Sequence, residues 1–185
     1  MEGKIVFQRN IQTHQEIIIR YPTKEDLNSM WKYINTLSQE RTFIRFQGEQ
    51  VSKEEEEKYL NSLLEKITKK QAVQLLVICE GEIIGISDVE MKDKTEKHLG
   101  IFGITIAKDF RGKGIGSKLM GMVINEAETN LSVLEIMILD VFANNDLAKE
   151  MYKKFGFVEY GVLPNGIKLE NGHVDRVLMY KVVKE

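Results

Sequence analysis

Cysteine, proline and histidine are scarce in this chain: its 185 residues include one cysteine, two prolines and three histidines. A lone thiol cannot close an internal disulfide, and Cys79 ends the apolar run Leu75-Leu76-Val77-Ile78, where it reads as a small core residue. His14, His98 and His173 have no clustered cysteine or carboxylate partners, so no metal-site spacing is present and no metal is expected. No apolar run approaches the roughly 18 residues that span a bilayer as a helix. Met1 to Asn10 also lack the long apolar stretch of a secretory leader, so a cytoplasmic protein with no membrane partner is expected. Charge of neither sign dominates. Lys and Arg number 26 against 28 Asp and Glu, a net charge of −2, which excludes the basic field that bulk nucleic-acid binding requires.

What is present is enough apolar sequence, 43% of the chain, for one ordinary core. No Pro- or Ser-rich linker, internal repeat or low-complexity tract divides it. Residues 1–15 read as an N-terminal extension or an edge strand, as Ile5-Val6-Phe7 suggests, and residues 16–185 as a single domain. A strand at Glu16 to Arg20 precedes a helix capped by Thr23 with Asp26, carrying Leu27, Met30, Trp31, Ile34 and Leu37 at helical spacing. Ser52 with Glu55 caps a second helix whose stripe is Tyr59, Leu60, Leu63, Leu64 and Ile67. Ala72 to Glu80 and Glu82 to Met91 form a hairpin across Glu80-Gly81, and a third strand covers His98 to Ala107. A helix from Ile115, a buried strand from Val133 to Phe142 and a helix bearing Leu147, Ala148, Met151, Tyr152 and Phe155 follow, with Asn144 or Asn145 as its cap. Phe157 to Leu163, turns at Pro164-Asn165-Gly166 and Asn171-Gly172, and Val174 to Val183 complete the order β-α-α-β-β-β-α-β-α-β-β.

Arg111-Gly112-Lys113-Gly114-Ile115-Gly116 lies where an apolar strand gives way to a helix N-terminus. Glycines there let the backbone turn tightly, and the unpaired N–H groups of a first helical turn attract an anion. The dinucleotide pattern G-x-G-x-x-G meets Ser117 counted from Gly112 and Leu119 counted from Gly114; the Walker pattern also meets Ser117. The pattern that fits is R-x-x-G-x-G. A dinucleotide-binding module, with Asp140 accepting a ribose hydroxyl, is the alternative from another class, but little chain follows Asp140 for that fold.

The block Ile104-Thr105-Ile106 … Phe110-Arg111-Gly112-Lys113-Gly114-Ile115-Gly116 … Leu119 resembles the acyl-CoA signature of the GNAT superfamily of N-acyltransferases. The segment Val141 … Asn145-Asp146-Leu147-Ala148-Lys149-Glu150-Met151-Tyr152-Lys153-Lys154-Phe155-Gly156-Phe157 resembles that family's second motif at the expected distance downstream. The resemblance implies an α/β (α+β) GNAT fold: a mixed, mostly antiparallel sheet whose central parallel strands, bearing Ile104 and Leu139, splay at their C-terminal ends. It implies acetyl-CoA as co-substrate, with its pyrophosphate held by backbone N–H groups across Gly112, Lys113, Gly114, Ile115, Gly116 and Ser117 after Arg111. The pantetheine arm would lie along Ile104, Thr105 and Ile106 and meet Asn145. Tyr152 would face the sulfur as general acid, with a backbone N–H near Ile104 as oxyanion donor.

Transfer to an amine also needs a base to free the nitrogen lone pair. The strand that carries a glutamate in some relatives reads Leu99-Gly100-Ile101-Phe102-Gly103-Ile104 here, so the base is open among Glu40, Asp88, Glu90 and His98. A lysine amine costs about 4.6 kcal/mol to deprotonate at pH 7 and an α-amine about 1.4 kcal/mol, which favours an α-amine where no strong base is evident. The loop Ser38 to Phe46 is where relatives build the acceptor side; there Glu40 suits an ammonium, Arg41 or Arg45 a carboxylate, and Phe43 and Phe46 anchor the loop. The expected activity is acetyl transfer to a free amino acid or other small amine, by a monomer or homodimer. Acetylation of protein N-termini or lysines, and a non-catalytic acyl-CoA sensor, are the alternatives.

Overall fold

A two-residue turn at Glu80 and Gly81, both with positive φ, closes the hairpin that the sequence predicts there. In the computed structural model, which describes residues 1–10 and 16–184, eight strands carry the chain: β1 (Ile5–Asn10), β2 (Glu16–Arg20), β3 (Ala72–Cys79), β4 (Glu82–Met91), β5 (Leu99–Ile106), β6 (Ile136–Phe142), β7 (Val158–Leu169) and β8 (Gly172–Val182). Four helices join them: α1 (Leu27–Gln39), α2 (Lys53–Thr68), α3 (Ile115–Asn130) and α4 (Asp146–Lys154). The sheet order is β1-β2-β3-β4-β5-β6-β8-β7. The pairs β1–β2, β2–β3, β3–β4, β6–β8 and β7–β8 are antiparallel, whereas β5–β6 is parallel through Leu99↔Ile136, Gly100↔Met137 and Ile101↔Ile138. A mixed sheet of this order is not the all-parallel sheet of a dinucleotide module. Residues 11–15, His14 among them, lie outside the described residues.

The described residues group into two compact units, Met1–Glu90 with Gly103–Ser132, and Met91–Phe102 with Val133–Glu185. In the first, the near-continuous apolar strand β3 is buried except at the half-buried Ile78, with Val73, Leu75, Leu76 and Val77 fully out of water. Helix α3 packs on it through the stripe Leu119, Met120, Val123 and Ala127, and α2 packs on it too. The Ser52 hydroxyl accepts the Glu55 N–H at 3.2 Å while the Glu55 carboxylate accepts the Ser52 N–H at 2.8 Å, a full capping box. At the start of α1, Asp26 instead caps the Thr23 N–H at 2.7 Å across a 3₁₀ turn and takes a two-pronged bond from Arg20.

In the second unit Phe102, Leu134, Met137, Phe157, Val177 and Met179 form the core. Two sequence readings change here. Pro164-Asn165-Gly166 is not a turn: these residues bulge out of the continuous strand β7 where the register steps from Leu163↔Arg176 to Ile167↔Val174. The Asn165 N–H donates to Asp175 Oδ1 at 2.8 Å, giving the bulge a partner, and the chain reverses only past Leu169. Leu147 is 77% exposed although it fits the apolar repeat of α4, because it stands about 140° around the helix from the inward-facing Tyr152.

Candidate active site

Strand β5 ends at Ile106, a 3₁₀ turn covers Lys108–Phe110, and Gly114 forms the N-cap of α3. Gly112 and Gly114 hold φ of 74° and 77°, the left-handed region that a side chain disfavours. A Cβ built on either glycine would meet nothing within 4 Å, so the space in front of the loop is open on the protein's side. The first helical bond of α3 runs from the Lys118 N–H to the Gly114 carbonyl at 3.1 Å. The N–H groups of Ile115, Gly116 and Ser117 therefore precede the helical ladder and present the positive end of the helix dipole. Left-handed glycines, a vacant front and three unladdered N–H groups fit a pyrophosphate.

The Arg111 side chain does not extend toward that space. Its Nε donates to the Ile106 carbonyl at 2.8 Å and its terminal nitrogen pairs with the Glu40 carboxylate at the C-terminus of α1. Glu40, a candidate base in the sequence, is thus the ion-pair partner of the glycine loop's first residue. On β5, the Thr105 hydroxyl accepts from the Tyr33 hydroxyl at 3.0 Å.

Asp88 occupies a different environment within the same unit. It lies on β4 as the cross-strand partner of Gln74, so the two side chains share one face of the sheet. A Cβ added at Gly103 of β5 would fall 3.2 Å from Asp88 Oδ1; the missing side chain is what lets the carboxyl lie against that strand. Loss of hydration, with the charge of Glu90 nearby, pushes the Asp88 carboxyl up to about 7. Glu90 itself is engaged by Lys66 at 2.6 Å. Gln74, 1% exposed, donates its Nε2 to the Tyr59 hydroxyl at 2.8 Å, while its Oε1 is buried with no hydrogen-bond partner among the described residues. Among the described residues, Glu40 and Glu90 are held in ion pairs, whereas the Asp88 carboxyl, raised to about 7, lies against the bare backbone of Gly103. A glycine inside a strand was the available signal for its site, since it marks a close approach.

In the second unit, Asn145 caps α4, its Oδ1 accepting the Ala148 N–H at 3.3 Å. Tyr152 is buried, with its ring set edge-on to Phe102 at 6.1 Å and tilted against Phe157 at 6.1 Å. Burial, followed by the charge of Asp140, pushes its hydroxyl up to about 12, so the phenol keeps its proton throughout the neutral range. His98 stands just before β5, at the end away from the glycine loop, and its carbonyl accepts the N–H groups of Glu135 and Ile136.

The model of the acetyltransferase (GNAT) family matches residues 31–157. The chain belongs to that family. The L-amino acid N-acetyltransferase AaaT of Escherichia coli is 30% identical over 121 residues, 64% of this chain and 74% of that protein. The alanine N-acetyltransferase of ribosomal protein bS18 from Salmonella typhimurium is 33% identical over 79 residues, 43% of this chain and about half, 52%, of that protein. Among solved structures, a GNAT-family acetyltransferase from Streptococcus pneumoniae superposes with a TM-score of 0.82 at 28% identity, covering 90% of this chain and 99% of that one. This GNAT protein is accordingly an N-acetyltransferase, and the sensor reading lapses. No helix among its described residues is long and apolar enough to cross a membrane.

Replacing Tyr152 by phenylalanine keeps the ring packing and removes only the hydroxyl. The expected result is a fall in kcat of about tenfold, modest because a thiolate is a tolerable leaving group, with CoA affinity unchanged. Unchanged kcat at every pH would remove Tyr152 from proton transfer.

Proposed function

We propose that this enzyme acetylates the α-amine of a free L-amino acid, using acetyl-CoA held at Gly112 to Ser117. Bound there, the thioester supplies an activated acetyl group. The chain's own residues handle the protons: Asp88 takes one from the incoming ammonium and later releases it to solvent, while Tyr152 donates its hydroxyl proton to the departing sulfur and regains one from the nitrogen of the collapsing tetrahedral intermediate. Arg45, exposed on the loop after α1, suits the amino acid's carboxylate.

The observation that carries this reading is the Asp88 carboxyl against Gly103, with its pKa raised to about 7. A base of that strength takes a proton from an α-amine near pKa 8 at a cost of about 1.4 kcal/mol, but from a lysine amine near 10.4 only at about 4.6 kcal/mol. The named activity of the Escherichia coli relative supports the free amino acid. A protein N-terminal alanine presents the same α-amine, and the Salmonella relative is the observation favouring that second reading.

The pH dependence of kcat/KM tests the assignment. The productive complex holds Asp88 ionised and the amine still protonated, so log kcat/KM rises with slope one below about 7 and falls with slope one above the amine's own pKa near 8. A single break near 10 would instead indicate a lysine acceptor and no titrating base.

A further inference from the structure

The pair between Arg111 and Glu40 joins two segments 71 residues apart in sequence, and both side chains are substantially covered, 34% and 16% exposed. Arg111 is the first residue of the glycine loop; Glu40 is the C-cap of α1, where the loop to α2 begins. The guanidinium is also tied to the end of β5 through the Ile106 carbonyl. Two of its donor groups are thus committed to protein acceptors, and its position follows the backbone of the loop it begins.

The far end of the α1–α2 loop is fixed independently. The Ser38 hydroxyl donates to the Glu49 carbonyl at 2.6 Å and accepts the Gly48 N–H at 3.1 Å, and Asn35 bonds both the N–H and the carbonyl of Val51. Between these anchors residues 41–47 are braced internally, the Gln47 amide donating to the Thr42 and Ile44 carbonyls at 2.8 and 2.7 Å. The front of this braced segment adjoins Glu40, whose side chain reaches the glycine loop through Arg111. Resting on the cofactor reading of Gly112 to Ser117, we infer that Glu40 is a positioning residue that couples the two loops: coenzyme A on the glycine loop fixes Arg111, and Arg111 through Glu40 fixes residues 41–47. Ordering the segment in advance removes part of the entropy cost of acceptor binding, so acceptor and cofactor bind with positive cooperativity.

Amide hydrogen exchange of the full chain, with and without saturating coenzyme A, tests the coupling directly. Wild-type residues 41–47 should exchange about fivefold more slowly with coenzyme A, and in Glu40→Ala that difference should vanish while coenzyme A affinity by calorimetry stays within about threefold. Glu40→Gln, which removes the charge and keeps the shape, carries the same expectation and serves if the alanine variant unfolds. A merely structural contact would change exchange equally in both states. Full protection by coenzyme A in the Glu40 variants, or a wild-type segment indifferent to bound coenzyme A, overturns the coupling alone; no coenzyme A binding to wild type overturns the coupling and the cofactor reading together.

Discussion

Asp88→Asn is expected to lower kcat/KM about 10²- to 10³-fold, the range of a lost general base, and to remove the break near pH 7 so that only the amine's titration remains. The same substitution should stabilise the fold. A carboxyl whose folded pKa is about 7, against about 3.9 unfolded, favours the folded state while protonated; that contribution is lost as pH rises between these values. The difference is on the order of 2–4 kcal/mol at pH 8, discounted because the group is half-buried. The asparagine side chain never ionises and escapes this loss. Thermal melting at pH 5 and pH 8 reads it out: the variant gains over wild type at pH 8 and little at pH 5. A destabilised variant with an unaltered pH profile would leave Asp88 as an ordinary strand residue.

Gly114→Val should weaken coenzyme A binding by about 10²-fold or more, since moving the loop's N–H groups away loses two or more charge-assisted hydrogen bonds of roughly 1.5–3 kcal/mol each. A β-branched residue is disfavoured at φ 77°, and its Cβ would project into space empty of protein atoms. Because nothing in the protein blocks that side chain, the cost falls chiefly on the ligand rather than on the core. Calorimetry with coenzyme A, beside a melting curve of the free protein, separates the two. Wild-type affinity in the variant would refute the loop as the pyrophosphate cradle.

Much of this architecture was legible because the informative signals are local. Ser52 with Glu55 marks the start of α2, Glu80-Gly81 closes the hairpin, and the glycine loop falls between β5 and α3 as its sequence requires. Pro164-Asn165-Gly166 misled because a bulge and a turn draw on the same residues, and only the register with β8 tells them apart. The base could be narrowed but not chosen: Glu40, Asp88 and Glu90 look alike as letters. Their difference lies in partners far along the chain, Arg111 for Glu40, Lys66 for Glu90 and the bare backbone of Gly103 for Asp88. Long-range register and packing decide which carboxylates are held in ion pairs and which is not.

The most direct measurement of the central proposal is mass spectrometry of the products formed from acetyl-CoA with an equimolar mixture of free L-amino acids, an N-terminal alanine peptide and an Nα-blocked lysine peptide. One acetyl group on the α-nitrogen of a free amino acid, with the lysine peptide unmodified, is the predicted outcome. Acetyl found on the lysine side chain, with the α-amines untouched, would contradict it.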